Sequence, residues 1–123
     1  MGNACVPKAN FEQVQEAIRQ KAVLISVLGE NEQGVLLSGT QPLDLEVAAV
    51  QAAISSGATI FVYGTNDHDP RAAAKCEQLE KLGAKPRLYV GGLFEWLLLQ
   101  DIYGAENFPT TAKTNQLLDY RPK

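Results

Sequence analysis

The stretch TIFVYGTNDHDPRAAAKCEQLEKLGAKPRLYVGG, residues 59–92, confines the chain to a small set of folds. TIFVY is rich in β-branched and aromatic residues and reads as a strand. Asp69 is a good N-cap and Pro70 suits the first helical position, so a helix runs from there to Leu82, with Gly83 after it. A second strand, 86–90, follows and stops at Gly91-Gly92. Strand, helix and strand at this spacing form a parallel pair joined by a crossover, which needs helices covering the sheet.

The flanks extend the pattern. Asn10 caps a helix over 11–20, with Gln13 in the capping-box position and Phe11, Val14, Ala17 and Ile18 on one face. Residues 22–28 are nearly all apolar, as in a buried parallel strand. A short strand is expected at 35–37. Asp44 then caps a helix to about Ser55, which Gly57 ends. A last apolar helix covers 93–100, and a short one is expected near 113–118. The chain therefore reads as one α/β domain over 10–112, with a flexible terminus at 1–9 and a tail at 113–123 packing on or near the domain.

Composition narrows function. The 123 residues are 46% apolar and 20% charged, which is enough for a real core. The net charge is −3 and the eleven basic residues are scattered, giving no footprint for nucleic acid. No apolar run approaches the roughly 20 residues of a membrane span. Cys5 and Cys76 lie far apart with a single histidine, His68, so neither a disulfide framework nor a zinc site is expected. Reducing, cytoplasmic surroundings fit that cysteine usage.

In parallel α/β folds ligands bind beyond the carboxyl ends of the strands. The loop Gly64, Thr65, Asn66, Asp67, His68, Asp69 occupies that position, aimed at a helix N-terminus of the kind that holds anions. The Gly91-Gly92 turn lies at the same edge.

Leu79, Gly83, Gly91, Gly92 and Trp96, in LEKLGAKPRLYVGGLFEW, give this half of the chain its pattern. It resembles the second half of a rhodanese-like domain, in which a strand, a loop opened by a catalytic cysteine, and a helix precede a glycine and then GG-x-x-x-W. LLSGTQPLD is similar to the family's short segment that returns to the sheet, and LFEWLLLQDIYGAENFPTT resembles a subset of uncharacterised eukaryotic and viral members. The resemblance covers roughly residues 10–100. It implies a three-layer sandwich around a five-stranded parallel sheet and, in active members, sulfur transfer through a persulfide on the loop cysteine. Phosphatases and arsenate reductases share the scaffold and the thiolate.

In this chain the cysteine position is Gly64. Glycine has no atom to carry a sulfur or attack a phosphorus. Asp67 and Asp69 also set two carboxylates where active loops receive an anion. Cys76 lies about 10 Å beyond Asp69 along the helix, at 1.5 Å per residue, and reads as an inert helix cysteine. His68 could serve as a general base but reads more simply as an exposed loop imidazole. Asp67, His68 and Asp69 are successive residues that do not converge on one centre, so no metal or cofactor is expected. Trp96 and its apolar neighbours read as core rather than a partner face.

MGNACVPK is similar to an N-myristoylation signal at Gly2, with Val in place of the preferred Ser or Thr at position 6 and Cys5 placed for palmitoylation. An unmodified terminus is the alternative. The expectation is a non-catalytic rhodanese-like binding or regulatory module, not an enzyme, engaging a protein or small molecule at the loop edge. Acylation would attach it peripherally to a membrane. A sulfurtransferase or phosphatase-like enzyme using another thiol, and an anion sensor, stay open.

Overall fold

A computed structural model describes residues 6–114 and 116–122. Four parallel strands form one sheet in the order β1-β4-β3-β2. They are β1 (Lys8–Ala9), β2 (Val23–Ser26), β3 (Thr59–Tyr63) and β4 (Lys85–Tyr89). The helices are α1 (Phe11–Arg19), α2 (Glu46–Ser56), α3 (Pro70–Lys81) and α4 (Gly92–Tyr103).

Strand alternation builds the two cores. Phe61 and Tyr63 of β3 point to the face covered by Val14 and Ala17 of α1 and by Leu93, Trp96 and Leu97 of α4. Ile60 and Val62 point to the other face, against Val50 and Ala53 of α2 and Ala72, Cys76 and Leu79 of α3. With apolar helices on both faces the strands can be nearly all apolar, as in TIFVY.

Local chemistry places most boundaries where the sequence predicts them. The Asn10 side chain accepts from Gln13 N–H, and the Gln13 side chain accepts from Asn10 N–H, each at 2.9 Å. Gly57 ends α2 in the left-handed region at φ 75°. Asp69 caps α3 with Pro70 at its start.

Among the described residues the sheet has four strands, not the expected five. Residues 35–37 form no strand, because their hydrogen bonds go to the tail. Ser38 N–H donates to Pro109 C=O at 3.0 Å, and Thr111 N–H donates to Leu36 C=O at 2.8 Å. What remains beside β2 is a single parallel bridge, Leu24 with Thr40.

Other boundaries move. Asp44 is not the cap of α2 but lies in a 3₁₀ turn, Leu43–Leu45, set off by Pro42, and the helix starts at Glu46. The last helix continues to Tyr103 rather than stopping at residue 100. In the tail, the short helix expected at 113–118 is instead a 3₁₀ turn at Leu117–Tyr120, whose Leu117 and Tyr120 pack on the α1/α4 core.

The N-terminal segment is not wholly free. Lys8 and Ala9 pair with Leu88 and Tyr89, and Ala9 is buried. Two residues are too few to show a period, so this edge strand leaves little trace in sequence. Among the described residues no helix is long and apolar enough to cross a membrane. Gly2 and Cys5 lie outside the described residues.

Candidate functional site

The loop after β3 lies at the carboxyl edge of the sheet and is built on three supports. Beneath it, α4 begins: Leu93 N–H donates to Gly64 C=O at 3.0 Å, and Phe94 N–H donates to Thr65 C=O at 2.9 Å. The loop's own carbonyls therefore satisfy donors at the start of α4 that would otherwise lack partners. Gly92 makes this possible. It sits at φ +65°, and a Cβ there would come within 2.5 Å of Gly64 O and 3.0 Å of Asn66 N.

Asn66 supplies the second support. Its amide donates to Tyr120 C=O at 2.8 Å, which fastens the tail to the loop, and its oxygen accepts from His68 N–H at 2.8 Å. Asp67 and His68 project outward, 3.8 Å apart and mostly exposed. Among the described residues no three His, Cys, Asp or Glu side chains cluster as a metal site.

Asp69 is the third support and the centre of the site. Its carboxylate accepts from Thr65 N–H at 2.9 Å and from Arg71 N–H at 3.1 Å. The Arg71 guanidinium grips the same carboxylate through Nε at 2.9 Å and Nη2 at 2.8 Å. Only 4% of the Asp69 side chain is exposed. A Cβ placed on Gly64 would lie 2.8 Å from Asp69 Oδ2 and 2.9 Å from its Cγ. The carboxylate thus fills the space that a side chain at position 64 would enter. Asp69 does more than repel an anion: it takes the loop donor and the guanidinium for itself.

Burial pushes the Asp69 carboxyl up, but the Arg71 side chain and the two backbone N–H groups outweigh it and hold the group well below the usual carboxylate range. Arg71 also reaches Glu32 in the loop after β2, at 2.8 Å. The guanidinium, and then Gly29 N–H, lower the Glu32 carboxyl as well. Glu32 Oε1 accepts from Gly29 N–H at 2.6 Å, so the two loops are joined through Asp69, Arg71 and Glu32. Sequence reasoning missed Arg71 and Glu32. Arg71, two residues after the cap in Asp-Pro-Arg, was the available signal; Glu32 had none.

A folded-state pKa below the unfolded one stabilises the native chain above the unfolded value of about 3.9, and that stabilisation fades as pH falls through the folded value. Asp69→Asn keeps the cap but loses the charge, and is expected to cost about 2 kcal/mol at pH 7. In urea titrations the gap between native and variant should close progressively below about pH 4. A gap that stays constant to pH 2 contradicts this assignment.

Gly91 and Trp96 take part in the packing of α4. Gly91 lies under Glu95, whose carboxyl carbon would be 2.5 Å from an added Cβ. Tyr89 Oη donates to Glu95 Oε1 at 2.6 Å. Burial, reinforced by Glu95, raises the Tyr89 phenol far above its ordinary value. Trp96 is fully buried, donates from Nε1 to Pro109 C=O at 3.1 Å, and packs edge-on against Tyr89 and Phe108. Tyr63 is also core: its hydroxyl accepts from Leu37 N–H at 3.1 Å and lies 2.8 Å from Thr40 Oγ1. Burial pushes it up to about 12. Cys76 is fully buried between α3 and the sheet, and burial pushes its thiol up to about 11.

Beside this loop a groove of about 650 Å³ opens at the end of β2. Val27, Leu28 and Leu43 supply its apolar lining, with Arg71 and Lys75 along α3 and Glu46 on α2. Lys75 Nζ and Glu46 Oε2 are 2.7 Å apart.

Neither a family model nor a curated protein matches the chain. Solved structures do. The crystal structure of the BH2092 protein from Bacillus halodurans matches with a TM-score of 0.62 at 12% identity, covering 76% of this chain and 72% of that one. A full-length protein from Lactobacillus plantarum matches with a TM-score of 0.63 at 15% identity, over 86% of this chain and 88% of its own. At these identities the likeness is one of fold: an α/β architecture with a parallel sheet and helices around it.

Proposed function

We propose that the chain is a catalytically silent rhodanese-like module that binds a protein or small ligand at its loop edge. The observation carrying this reading is the packing of the Asp69 carboxylate against Gly64. A nucleophile at position 64 would need that carboxylate displaced, and the cap of α3 and the Arg71 pair displaced with it. An anionic substrate or sensed anion would compete with the same carboxylate for Thr65 N–H and Arg71. Cys76 offers no substitute, since a buried thiol with a raised pKa is a poor source of thiolate.

What survives of the site is its frame. Gly92 lets the start of α4 support the loop from below, while Asp67 and His68 are presented to solvent. A rigid loop with exposed polar tips suits recognition rather than turnover.

Two assays test the reading: cyanide-dependent sulfur transfer from thiosulfate, and hydrolysis of p-nitrophenyl phosphate. Both are expected to run at the rate of the protein-free blank, for the native chain and for Cys76→Ser alike. Turnover that Cys76→Ser abolishes would establish a displaced nucleophile and overturn the proposal.

A further inference from the structure

The groove at the end of β2 contains an open piece of sheet edge. Just past the end of β2, Val27 N–H donates inward to Tyr63 C=O at 3.0 Å, while within the strand Leu24 C=O accepts from Gln41 N–H on the outer side at 2.8 Å. Backbone groups of a strand alternate between its two edges. Leu24 faces outward, so Ser26 does too, and its register with Tyr63 leaves the inward bonds to its neighbours. The segment beside β2 pairs only as far as Thr40 and Gln41, then turns at Pro42 into the 3₁₀ turn. Among the described residues neither Ser26 N–H nor Ser26 C=O has a backbone or side-chain partner, although Ser26 is only 5% exposed.

A buried backbone donor and acceptor without partners are costly, and one strand-like residue satisfies both. We infer that the groove is a docking site for a short extended peptide segment of a partner protein, bonded at Ser26, with an apolar side chain on Val27 and Leu43 and neutral or basic flanks.

Three observations choose that occupant. The paired N–H and C=O call for an amide, which offers the complementary acceptor and donor. The half-buried Val27 and the Leu43 side chain, 40% exposed, line the groove beside them and call for an aliphatic group. The charges around the groove are already committed: Arg71 is held by Asp69 and Glu32, and Lys75 by Glu46, three carboxylates to two cations. An acidic side chain would meet no free cation there, whereas a basic one can reach Glu32, which lies outside the lining but is 44% exposed beside Arg71.

The inference rests on the reading of the chain as a binding module, and the two fail separately. Turnover in the assays above would overturn the module reading whatever the groove binds. For the groove, blocked tetrapeptides Ac-Xaa-Leu-Yaa-Ala-NH2, with Xaa and Yaa drawn from Ala, Val, Lys and Glu, are titrated into the full ¹⁵N-labelled chain. The Lys-containing members are expected to shift the amides of Ser26, Leu28 and Lys75 saturably. The Glu-containing members should bind more weakly. Methylating the backbone nitrogen that meets Ser26 C=O should weaken binding about tenfold, the equivalent of one hydrogen bond.

Ala74 lines the groove from an exposed position on α3, so Ala74→Arg should block it without disturbing the core. An unchanged urea midpoint confirms that the variant is folded. The proposal is overturned if no library member shifts Ser26 up to about 10 mM, if the methylated peptide binds equally, or if folded Ala74→Arg still binds.

Discussion

Replacing Trp96 with alanine is expected to lower stability by about 3–5 kcal/mol, as for other large buried aromatics. Trp96 is fully buried and lies between Tyr89 and Phe108, with ring centroids 6.0 and 5.0 Å away. Its Nε1–H also holds Pro109 C=O, in the segment that engages residues 36–38. Truncation therefore opens a cavity under α4 and frees one end of the 109–111 bridge. Leu98, on the same helix but 38% exposed, is the control. Leu98→Ala should cost about 1 kcal/mol, since more than a third of the residue stays in water and its truncation opens no closed cavity. Urea midpoints for the pair decide the matter: equal losses would mean that the Trp96 ring is not the centre of this core.

Gly92→Ala should have the second large effect, by a different route. A left-handed conformation costs a residue with a Cβ about 1–2 kcal/mol. Here the Cβ would also meet Gly64 O at 2.5 Å, and that oxygen belongs to backbone with no rotamer to move. Either α4 lifts or the loop shifts, and the Leu93 and Phe94 bonds to the loop weaken with it. We expect a total loss of about 3 kcal/mol, with the strongest amide changes at 64–66. Gly39 provides the comparison, at φ +86° with open space around its Cβ position. Gly39→Ala should show the conformational cost alone. If the two variants lose equal stability, the close approach of α4 to the loop carries no energy.

Wherever one residue's chemistry decides a boundary, the sequence is a good guide. TIFVY is a strand over the bounds its composition suggests, and Asn10, Gly57, Asp69 and Pro70 start or stop helices for reasons contained within a few residues. Legibility fails where a partner distant in sequence makes the choice. Val35, Leu36 and Leu37 have strand-like composition, but the tail claims their neighbourhood's hydrogen bonds. Lys8 and Ala9 look like loose terminus until β4 offers them an edge.

The site divides in the same way. Position 64 and the acidic character of its loop can be read directly from GTNDHD. That Asp69 turns inward rather than outward cannot be, because its orientation depends on the Arg71 grip and on the space that Gly64 leaves. Ser26 likewise looks like one polar interruption in an apolar run. Its unpaired edge becomes visible only once the paths of residues 40–43 are known.

The two-residue strand β1 bears on how this molecule assembles and how it comes apart. Arg87 Nη2 donates to Lys8 C=O at 2.8 Å across 79 residues of sequence, and Leu88 N–H donates to Pro7 C=O at 2.9 Å. Closing so long a loop for so few bonds is entropically unrewarding until β4 is already in place. The amino-terminal edge should therefore be the last part of the sheet to dock during folding. By the same reasoning it opens first under native conditions, baring the outer side of β4 while the rest of the sheet stays closed.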